Sequence, residues 1–233
     1  MTQVKICGMT NLEDAQVAVE AGADLVGFIF YEPSPRYVSP ETVREIVARL
    51  SLAAPEASEA FPLFVGVFVN ESVERVRQIV DYCRLDAVQL HGDESPEVVA
   101  QFNGLAYKAL RPKSPDEADS LIEEFTLSPH LQSPIANHLP ALLLDAYHPS
   151  LYGGTGHVTD WGMAAKVARR YSIMLAGSLT PANVVEAIRA VEPWGVDVSS
   201  GVELSKGKKD HEKVRAFVEA VKGLKRNTKY TSH

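Results

Sequence analysis

Two polar residues stand at the ends of short apolar runs, where the backbone can fix a side chain for chemistry. Cys7 follows the run Val4–Ile6 and precedes a glycine, and Asp145 ends the run Ala141–Asp145. A thiolate can act as a nucleophile or a general base. Partial desolvation raises the pKa of a carboxyl group and suits it to general-acid work. The two residues therefore predict acid–base catalysis. In the competing interpretation, Cys7 is an inert core thiol and Asp145 a structural carboxylate bonded to loop amides.

Two glycines follow other apolar runs and predict a phosphate site. Gly177 and Gly201 permit close approach of the backbone to a ligand. Ser178, Ser199 and Ser200 add hydroxyl donors, and backbone N–H groups nearby can point at an anion. The alternative is that each glycine only shapes a turn, but the pair at matched positions favours phosphate binding.

Three further residues are weaker candidates for contact with a substrate. Arg36 lies in a loop bracketed by prolines, where its guanidinium either binds a carboxylate through two hydrogen bonds or is a solvated surface charge. His91 follows the run Ala87–Leu90, and Asp197 lies within the run Val196–Val198. No second histidine or carboxylate is placed as an obvious partner for His91, so we predict no metal site. The loop Gly153–Gly156 lacks nucleotide-motif spacing and is interpreted either as a mobile loop closing over the site or as a plain turn.

The apolar runs recur at a regular interval. They are Val4–Ile6, Leu25–Phe30, Leu63–Val69, Ala87–Leu90, Tyr107–Leu110, Ala141–Asp145, Ile173–Ala176 and Val196–Val198. Their near-continuous apolar character suits parallel strands that are covered on both faces. The runs start on average about 27 residues apart, close to the roughly 30 residues of a strand–helix unit.

Helical patterns separate these runs. Helices are predicted near 11–20, 41–50, 71–83, 96–103, 115–125, 162–170, 181–190 and 209–223. Ser39, Ser95, Ser114 and Thr180 each precede a proline, as is typical of an N-cap and the first helical residue. The alternation favours an α/β fold, a single closed (β/α)8 TIM barrel, over an open doubly wound sheet. The active site of such a barrel lies at the C-terminal ends of its strands.

Two stretches interrupt the alternation of strands and helices. Residues 51–60 and 126–140 are rich in serine, proline and alanine, and they are predicted to be surface insertions at the bottom of the barrel. We expect one catalytic barrel domain over residues 1–224 and a polar C-terminal tail over residues 225–233.

The composition narrows the class of protein. The chain has 233 residues, of which 45% are hydrophobic, and 23 basic against 30 acidic side chains give a net charge of −7. That charge, without a basic run, argues against nucleic acid as a partner. No segment reaches the roughly 18 consecutive apolar residues of a membrane span. The two cysteines make no disulfide framework and the N-terminus has no signal-peptide layout, so we expect a cytoplasmic protein.

The motifs and their order resemble those of the phosphoribosylanthranilate isomerase family over nearly the whole chain. The resemblance is carried by Lys5-Ile6-Cys7-Gly8-Met9-Thr10, Gly27-Phe28-Ile29-Phe30, Ser34-Pro35-Arg36-Tyr37-Val38, Val65-Gly66-Val67-Phe68-Val69-Asn70, Val88-Gln89-Leu90-His91-Gly92, Leu144-Asp145, Gly153-Gly154-Thr155-Gly156, Leu175-Ala176-Gly177 and Gly195-Val196-Asp197-Val198-Ser199-Ser200-Gly201-Val202-Glu203. The insertions and the tail fall outside it. Ser178 stands where the family commonly has a second glycine.

The resemblance implies a (β/α)8 barrel enzyme of tryptophan biosynthesis that uses no cofactor. Its substrate is small and phosphorylated, and the reaction is an Amadori rearrangement. By the same resemblance Asp145 is the general acid and Cys7 the general base, and Arg36 holds the anthranilate carboxylate. The implied phosphate cradle is Gly177, Ser178, Ser200 and Gly201, and His91 and Asp197 line the cavity. A monomer or a homodimer is expected.

Two alternatives of different class stay open at this point. One is another phosphosugar barrel enzyme, but a metal-dependent epimerase would need two histidines and two carboxylates at strand ends, and an indole-forming synthase a lysine–glutamate pair. The other is a non-catalytic barrel that binds a phosphorylated metabolite. Such a protein gains nothing from retaining both Cys7 and Asp145.

Overall fold

The chain forms a closed barrel of eight parallel strands, as seen in a computed structural model that describes residues 1–53, 61–126, 139–145 and 160–224. The strands are β1 Gln3–Cys7, β2 Leu25–Ile29, β3 Leu63–Phe68, β4 Ala87–Leu90, β5 Ala106–Leu110, β6 Leu142–Leu144, β7 Ile173–Leu175 and β8 Gly195–Val198. Each strand pairs with its neighbours in chain order, and β8 closes the barrel on β1, with Lys5 opposite Asp197. The predicted barrel is confirmed, and the open sheet is wrong.

Eight α-helices surround the strands in the described part of the chain. They are α1 Leu12–Ala21, α2 Pro40–Ala53, α3 Val73–Cys83, α4 Pro96–Ala100, α5 Pro115–Thr126, α6 Trp161–Ala168, α7 Val184–Val191 and α8 His211–Lys222. Each helix corresponds to a predicted one, with ends that differ by a few residues. No helix in the described ranges is both long and apolar enough to cross a lipid bilayer.

The strands bury both faces, which explains their continuous apolar sequence. A large outer core lies between strands and helices, and a smaller cluster fills the barrel interior. The inner cluster includes Leu25, Val65, Tyr107 and Leu143. Because successive side chains of a strand point to opposite faces, every second residue of each strand faces this interior.

The predicted ends of three segments need correction. Residues 181–183 form a turn instead of the first turn of α7, because the Asn183 carboxamide accepts a hydrogen bond from Thr180 N (2.7 Å) and donates one to Ser178 O (3.0 Å). Helix α2 continues through residue 53, into the predicted insertion 51–60. Leu139, at the end of the predicted insertion 126–140, is buried in the inner cluster. Residues 54–60, 127–138 and 225–233 lie outside the described residues.

An antiparallel hairpin between β8 and α8 was not predicted from the sequence. A short 3-10 helix, Ser200–Val202, leads into β9 Glu203–Ser205, which pairs with β10 Lys208–Lys209. Thr10, two residues before α1, and Asp14 within α1 hold this hairpin. Thr10 donates to Gly207 O, and Lys209 N donates to Asp14 at 2.8 Å. The hairpin therefore lies at the C-terminal end of the barrel.

Candidate active site

All nine residues predicted for the site line one pocket at the C-terminal ends of the strands. They are Cys7, Arg36, His91, Asp145, Gly177, Ser178, Asp197, Ser200 and Gly201. Cys7 is the last residue of β1, whereas His91 and Asp145 are the first residues after β4 and β6. His91 N donates to Phe68 O at 2.8 Å and Asp145 N to Leu110 O at 3.0 Å, so each follows the path of its strand. The loop Gly153–Gly156 lies outside the described residues.

Cys7 is buried beside two charged side chains. Burial raises the pKa of its thiol, the Lys5 ammonium opposes that rise, and the Asp197 carboxylate adds to it. The sequence alone left the direction of this shift open. Gly27 lies opposite Cys7 on β2, and a Cβ there would stand 2.8 Å from Cys7 Sγ. The absence of a side chain at Gly27 therefore makes the space that the thiol occupies.

Lys5 is fully buried in the barrel interior and carries the charge of this region. Its Nζ donates to Asp197 Oδ1 at 3.0 Å and to Gln89 Oε1 at 2.8 Å. Burial alone would lower the pKa of Lys5, but Asp197, Cys7 and Tyr107 outweigh that effect and the net direction is upward. Lys5 is thus a permanent cation under the pocket, and one oxygen of Asp197 is committed to it.

His91 and Asp145 contact each other on the far side of the pocket. His91 Nε2 lies 3.4 Å from Asp145 Oδ2, and both side chains are buried. The contact lacks hydrogen-bond geometry, and within the described residues Nε2 has no hydrogen-bond partner. His91 Nδ1 lies 2.6 Å from Gln89 Nε2. Asp145 reaches His91 from a strand distant in sequence, and the spacing of residues in the sequence did not identify this neighbour.

A buried ion pair holds the loop that follows His91. Lys108 Nζ lies 3.2 Å from Glu94 Oε2 and donates to Gly92 O at 2.8 Å. Glu94 accepts from Gly92 N at 2.9 Å and from Asn70 N at 2.7 Å. Burial lowers the pKa of Lys108, against the opposing effect of Glu94. Lys108 belongs to β5 but faces outward, so it supports the rim and does not line the pocket.

Arg36 is buried at the pocket rim and is not a solvated charge. Its Nε donates to Glu203 Oε1 at 2.7 Å and its Nη2 to Glu203 Oε2 at 2.9 Å, which leaves Nη1 outside this pair. Lys209 Nζ lies 3.3 Å from the same Oε1. Burial alone would raise the pKa of Glu203, but Arg36 and Lys209 hold it below its usual range.

The loops after β7 and β8 have the backbone freedom that the sequence predicted. Gly177 has φ +95° and Ser178 has φ +53°, a left-handed conformation that is uncommon for a residue with a side chain. A Cβ at Gly201 would collide with the carbonyl oxygen of Leu179, so the two loops touch there. The buried hydroxyl oxygens of Ser178 and Ser199 have no hydrogen-bond partner among the described residues. Unsatisfied donors of this kind suit an anionic ligand.

Sequence reasoning did not assign Gln89 or Glu203 to the site. Gln89 lines the pocket and links Lys5 to His91. Gln89 lies two residues before His91, which continues the path of β4, and this spacing is a signal that could have placed both on the inner face. Glu203 depends on the hairpin, and no signal predicted that element. In the described residues no group of three or more histidine, cysteine or carboxylate side chains is arranged to hold a metal ion.

Known proteins resemble this chain over nearly its whole length. The profile of the family described as N-(5'phosphoribosyl)anthranilate (PRA) isomerase matches residues 4–220. The chain belongs to the phosphoribosylanthranilate isomerase family. An N-(5'-phosphoribosyl)anthranilate isomerase of Geotalea uraniireducens is 46% identical over 224 residues, which cover 96% of this chain and 100% of that protein.

Solved structures of the family have the same fold. The phosphoribosyl anthranilate isomerase of Thermotoga maritima superposes with a TM-score of 0.79 at 39% identity, covering 96% of this chain and 100% of that one. A phosphoribosyl anthranilate isomerase solved with reduced 1-(o-carboxyphenylamino)-1-deoxyribulose 5-phosphate superposes with a TM-score of 0.77 at 38% identity over the same shares of the two chains. As a member of the phosphoribosylanthranilate isomerase family, the protein is an isomerase of tryptophan biosynthesis.

Proposed function

We propose that the enzyme converts N-(5-phosphoribosyl)anthranilate into 1-(2-carboxyphenylamino)-1-deoxyribulose 5-phosphate, with Asp145 as general acid and Cys7 as general base. The observation that carries this proposal is that a buried thiol and a buried carboxyl group line the same pocket from β1 and from the end of β6. Three strand positions separate β1 from β6 around the barrel, so a sugar can lie between the two groups.

The reaction needs one proton donor and one proton acceptor. Asp145 gives a proton to the furanose ring oxygen, the bond between that oxygen and C1′ breaks, and the nitrogen lone pair forms an iminium. Cys7, as thiolate, then removes the proton from C2′, and the electron pair of that bond forms an enolamine. Tautomerisation to the ketone completes an isomerisation without net oxidation. An acid and a base of this kind each contribute about 10²–10⁴ in rate.

Arg36 and the loops after β7 and β8 would bind the two anionic groups of this substrate, its carboxylate and its phosphate. Nη1 of Arg36 is outside the pair with Glu203 and would bind the anthranilate carboxylate. Gly177, Ser178, Ser200 and Gly201 would hold the phosphate, and the unpartnered hydroxyl of Ser178 supports that role.

Other residues of the pocket suit the uncharged parts of the substrate, which are the aromatic ring and the sugar. Ile29, Pro33 and Val67 line the pocket with apolar surface that suits an aromatic ring. His91 and Asp197 would meet sugar hydroxyls, since His91 Nε2 is a buried nitrogen without a hydrogen-bond partner among the described residues and Asp197 retains an oxygen outside its bond to Lys5.

Turnover of freshly made N-(5-phosphoribosyl)anthranilate, followed by loss of its fluorescence, tests the proposal. Cys7→Ser and Asp145→Asn are each expected to lower kcat by at least about a hundredfold while binding of the reduced product analogue persists. Cys83→Ser is the matched control, because Cys83 is equally buried but its Sγ donates to Pro40 O, away from the pocket.

The two other possible results separate the alternatives. Nearly full activity of Asp145→Asn would keep the reaction but remove Asp145 as its acid. A wild-type protein that is inert yet binds a phosphorylated ligand would refute the reaction and favour a non-catalytic binding barrel.

The assembly and location of the enzyme are also proposals. We propose a monomer or a homodimer that acts in the cytoplasm, with a small phosphorylated molecule as its ligand and residues 1–224 as its catalytic domain. One solved relative is described as mutually generated monomers of a dimeric phosphoribosylanthranilate isomerase from Thermotoga maritima. Both cysteines here are free thiols, which suits a reducing compartment. Light scattering after size-exclusion chromatography would distinguish the two assemblies.

A further inference from the structure

Gln89 connects the charged interior of the barrel with His91. Its side chain is buried, with Oε1 toward Lys5 and Tyr107 and Nε2 toward His91. The contacts with Lys5 and Tyr107 join β4 to β1 and β5, and the contact with His91 links Gln89 to the residue that follows β4. The carboxamide therefore lies at a point where the hydrogen-bonding requirements of three other side chains meet.

The orientation of the Gln89 carboxamide is dictated by the Lys5 ammonium, which cannot accept a hydrogen bond, and Tyr107 donates to the same oxygen. Lys5 Nζ lies 2.8 Å from Oε1, and an ammonium group only donates. Tyr107 Oη donates to the same oxygen at 2.9 Å, and burial raises the pKa of Tyr107, so the phenol keeps its proton. The upward shift in the pKa of Lys5 keeps it charged. Oxygen must face these two groups, and the NH2 group must face His91.

We propose that Gln89 is a positioning residue that fixes His91 in the tautomer with its proton on Nε2, so that the pocket receives an N–H donor beside Asp145. Gln89 Nε2 can only donate, and it lies 2.6 Å from His91 Nδ1, which must accept. An uncharged imidazole that accepts at Nδ1 carries its proton at Nε2.

The tautomer decides what His91 offers the substrate. Nε2 is buried 3.4 Å from Asp145 Oδ2 and has no hydrogen-bond partner among the described residues. With a proton, Nε2 can bind a substrate oxygen and hold it within reach of the carboxyl group. Without one, its lone pair would face the lone pairs of that substrate oxygen and could not bind it. This kinetic consequence rests on the proposed function, whereas the tautomer itself does not.

Nitrogen NMR of protein labelled with ¹⁵N-histidine tests the tautomer directly. The measurement is made above the pH at which an ordinary imidazole titrates, and His91→Asn identifies the His91 signals by difference. The expected wild-type spectrum has an unprotonated Nδ1 and a protonated Nε2. A protonated Nδ1 in the wild type would overturn the proposal, whether or not any variant folds.

Three variants test the part played by Gln89. In Gln89→Glu the carboxylate can only accept, so Nδ1 is expected to become protonated. Gln89→Met removes the donor, and we expect both tautomers and a kcat/KM at least about tenfold lower. Tyr107→Phe is the matched control: it removes one donor to the same oxygen but leaves Lys5, so the tautomer should persist and kcat/KM should stay within about threefold.

The possible results distinguish a failure of this inference from a failure of the proposed function. A Gln89→Met protein with wild-type tautomer and wild-type kcat/KM would overturn the role of Gln89. A shifted tautomer with unchanged kcat/KM would also overturn it, because the N–H donor would then have no catalytic consequence. A wild type that has the Nε2–H tautomer but does not convert N-(5-phosphoribosyl)anthranilate would refute the proposed function and support the tautomer assignment.

Discussion

Arg36 and Glu203 face each other through two parallel hydrogen bonds, of 2.7 and 2.9 Å, although 167 residues separate them in the chain. The pair joins the loop after β2 to the hairpin after β8. Lys209 contacts the same carboxylate at 3.3 Å and also donates to Ser199 O at 3.1 Å. The direction in which Arg36 presents its remaining N–H groups is therefore set by the hairpin.

Glu203→Gln should raise KM more than it lowers kcat. The substitution removes the charge that orients Arg36, and a misplaced guanidinium binds a substrate carboxylate poorly in the ground state and the transition state alike. We expect KM to rise about tenfold, equivalent to about 1.4 kcal/mol, with kcat within about threefold. Steady-state kinetics check this, with the exposed Glu212→Gln in α8 as control. An unchanged KM would remove Glu203 from the binding of the carboxylate.

The pKa of Cys7 predicts how its reactivity depends on pH. Burial raises that pKa, so the thiolate that the proposed base requires becomes more abundant as pH rises. In a Cys83→Ser background, alkylation by iodoacetamide should accelerate steadily from neutral to alkaline pH, and kcat/KM should rise over the same range. A rate of alkylation that is already maximal at neutral pH would contradict this prediction.

Gly27→Ala tests the space reserved for the thiol. The added Cβ would lie 2.8 Å from Cys7 Sγ, 3.1 Å from Lys5 Cε and 3.2 Å from Cys7 Cα, so the sulfur of the proposed base must move. A small displacement of a reacting group is costly, and we expect kcat to fall at least about tenfold. Gly162→Ala in α6 is the control, because its Cβ would approach only the Asp160 carboxylate, at 3.2 Å. Equal kcat for wild type and Gly27→Ala would show that the position of Sγ is not critical.

The sequence predicted what depends on local pattern. Apolar runs buried on both faces located all eight strands, and matched positions at strand ends brought Cys7, Asp145 and the two glycines to one pocket. The period of two along a strand carries more information than these run ends alone. Lys5 precedes Cys7 by two residues and Gln89 precedes His91 by two, so both must face the interior.

The remaining contacts could not be predicted because they depend on how distant segments meet. His91 and Asp145 meet because the ends of β4 and β6 lie two strand positions apart around the barrel, and no local pattern encodes that neighbourhood. Most residues of the hairpin Glu203–Lys209 are polar, and Leu204 and Ser205 are exposed. The segment lacks the alternation of apolar and polar residues that is typical of a strand. Its position is fixed instead by side-chain contacts, among them the hydrogen bonds that Asp14 accepts.

Asp14 should make the stability of the fold sensitive to acid. Burial alone would raise its pKa, but hydrogen bonds from Lys209 N, His211 and Asn11 outweigh burial and lower it. A carboxyl group with a lowered folded-state pKa stabilises the fold fully above its unfolded value of about 3.9, and that stabilisation disappears as pH falls through the folded value.

Asp14→Asn is therefore expected to lower the free energy of unfolding by about 1–3 kcal/mol at neutral pH and by progressively less in acid. Urea unfolding at a series of pH values measures the difference, with the exposed Asp81→Asn in α3 as control. Because Asp14 joins α1 to Lys209 of the hairpin, the variant should also raise KM by loosening the support of Arg36. A loss of stability that is the same at every pH would place the effect in packing instead of in the charge of Asp14.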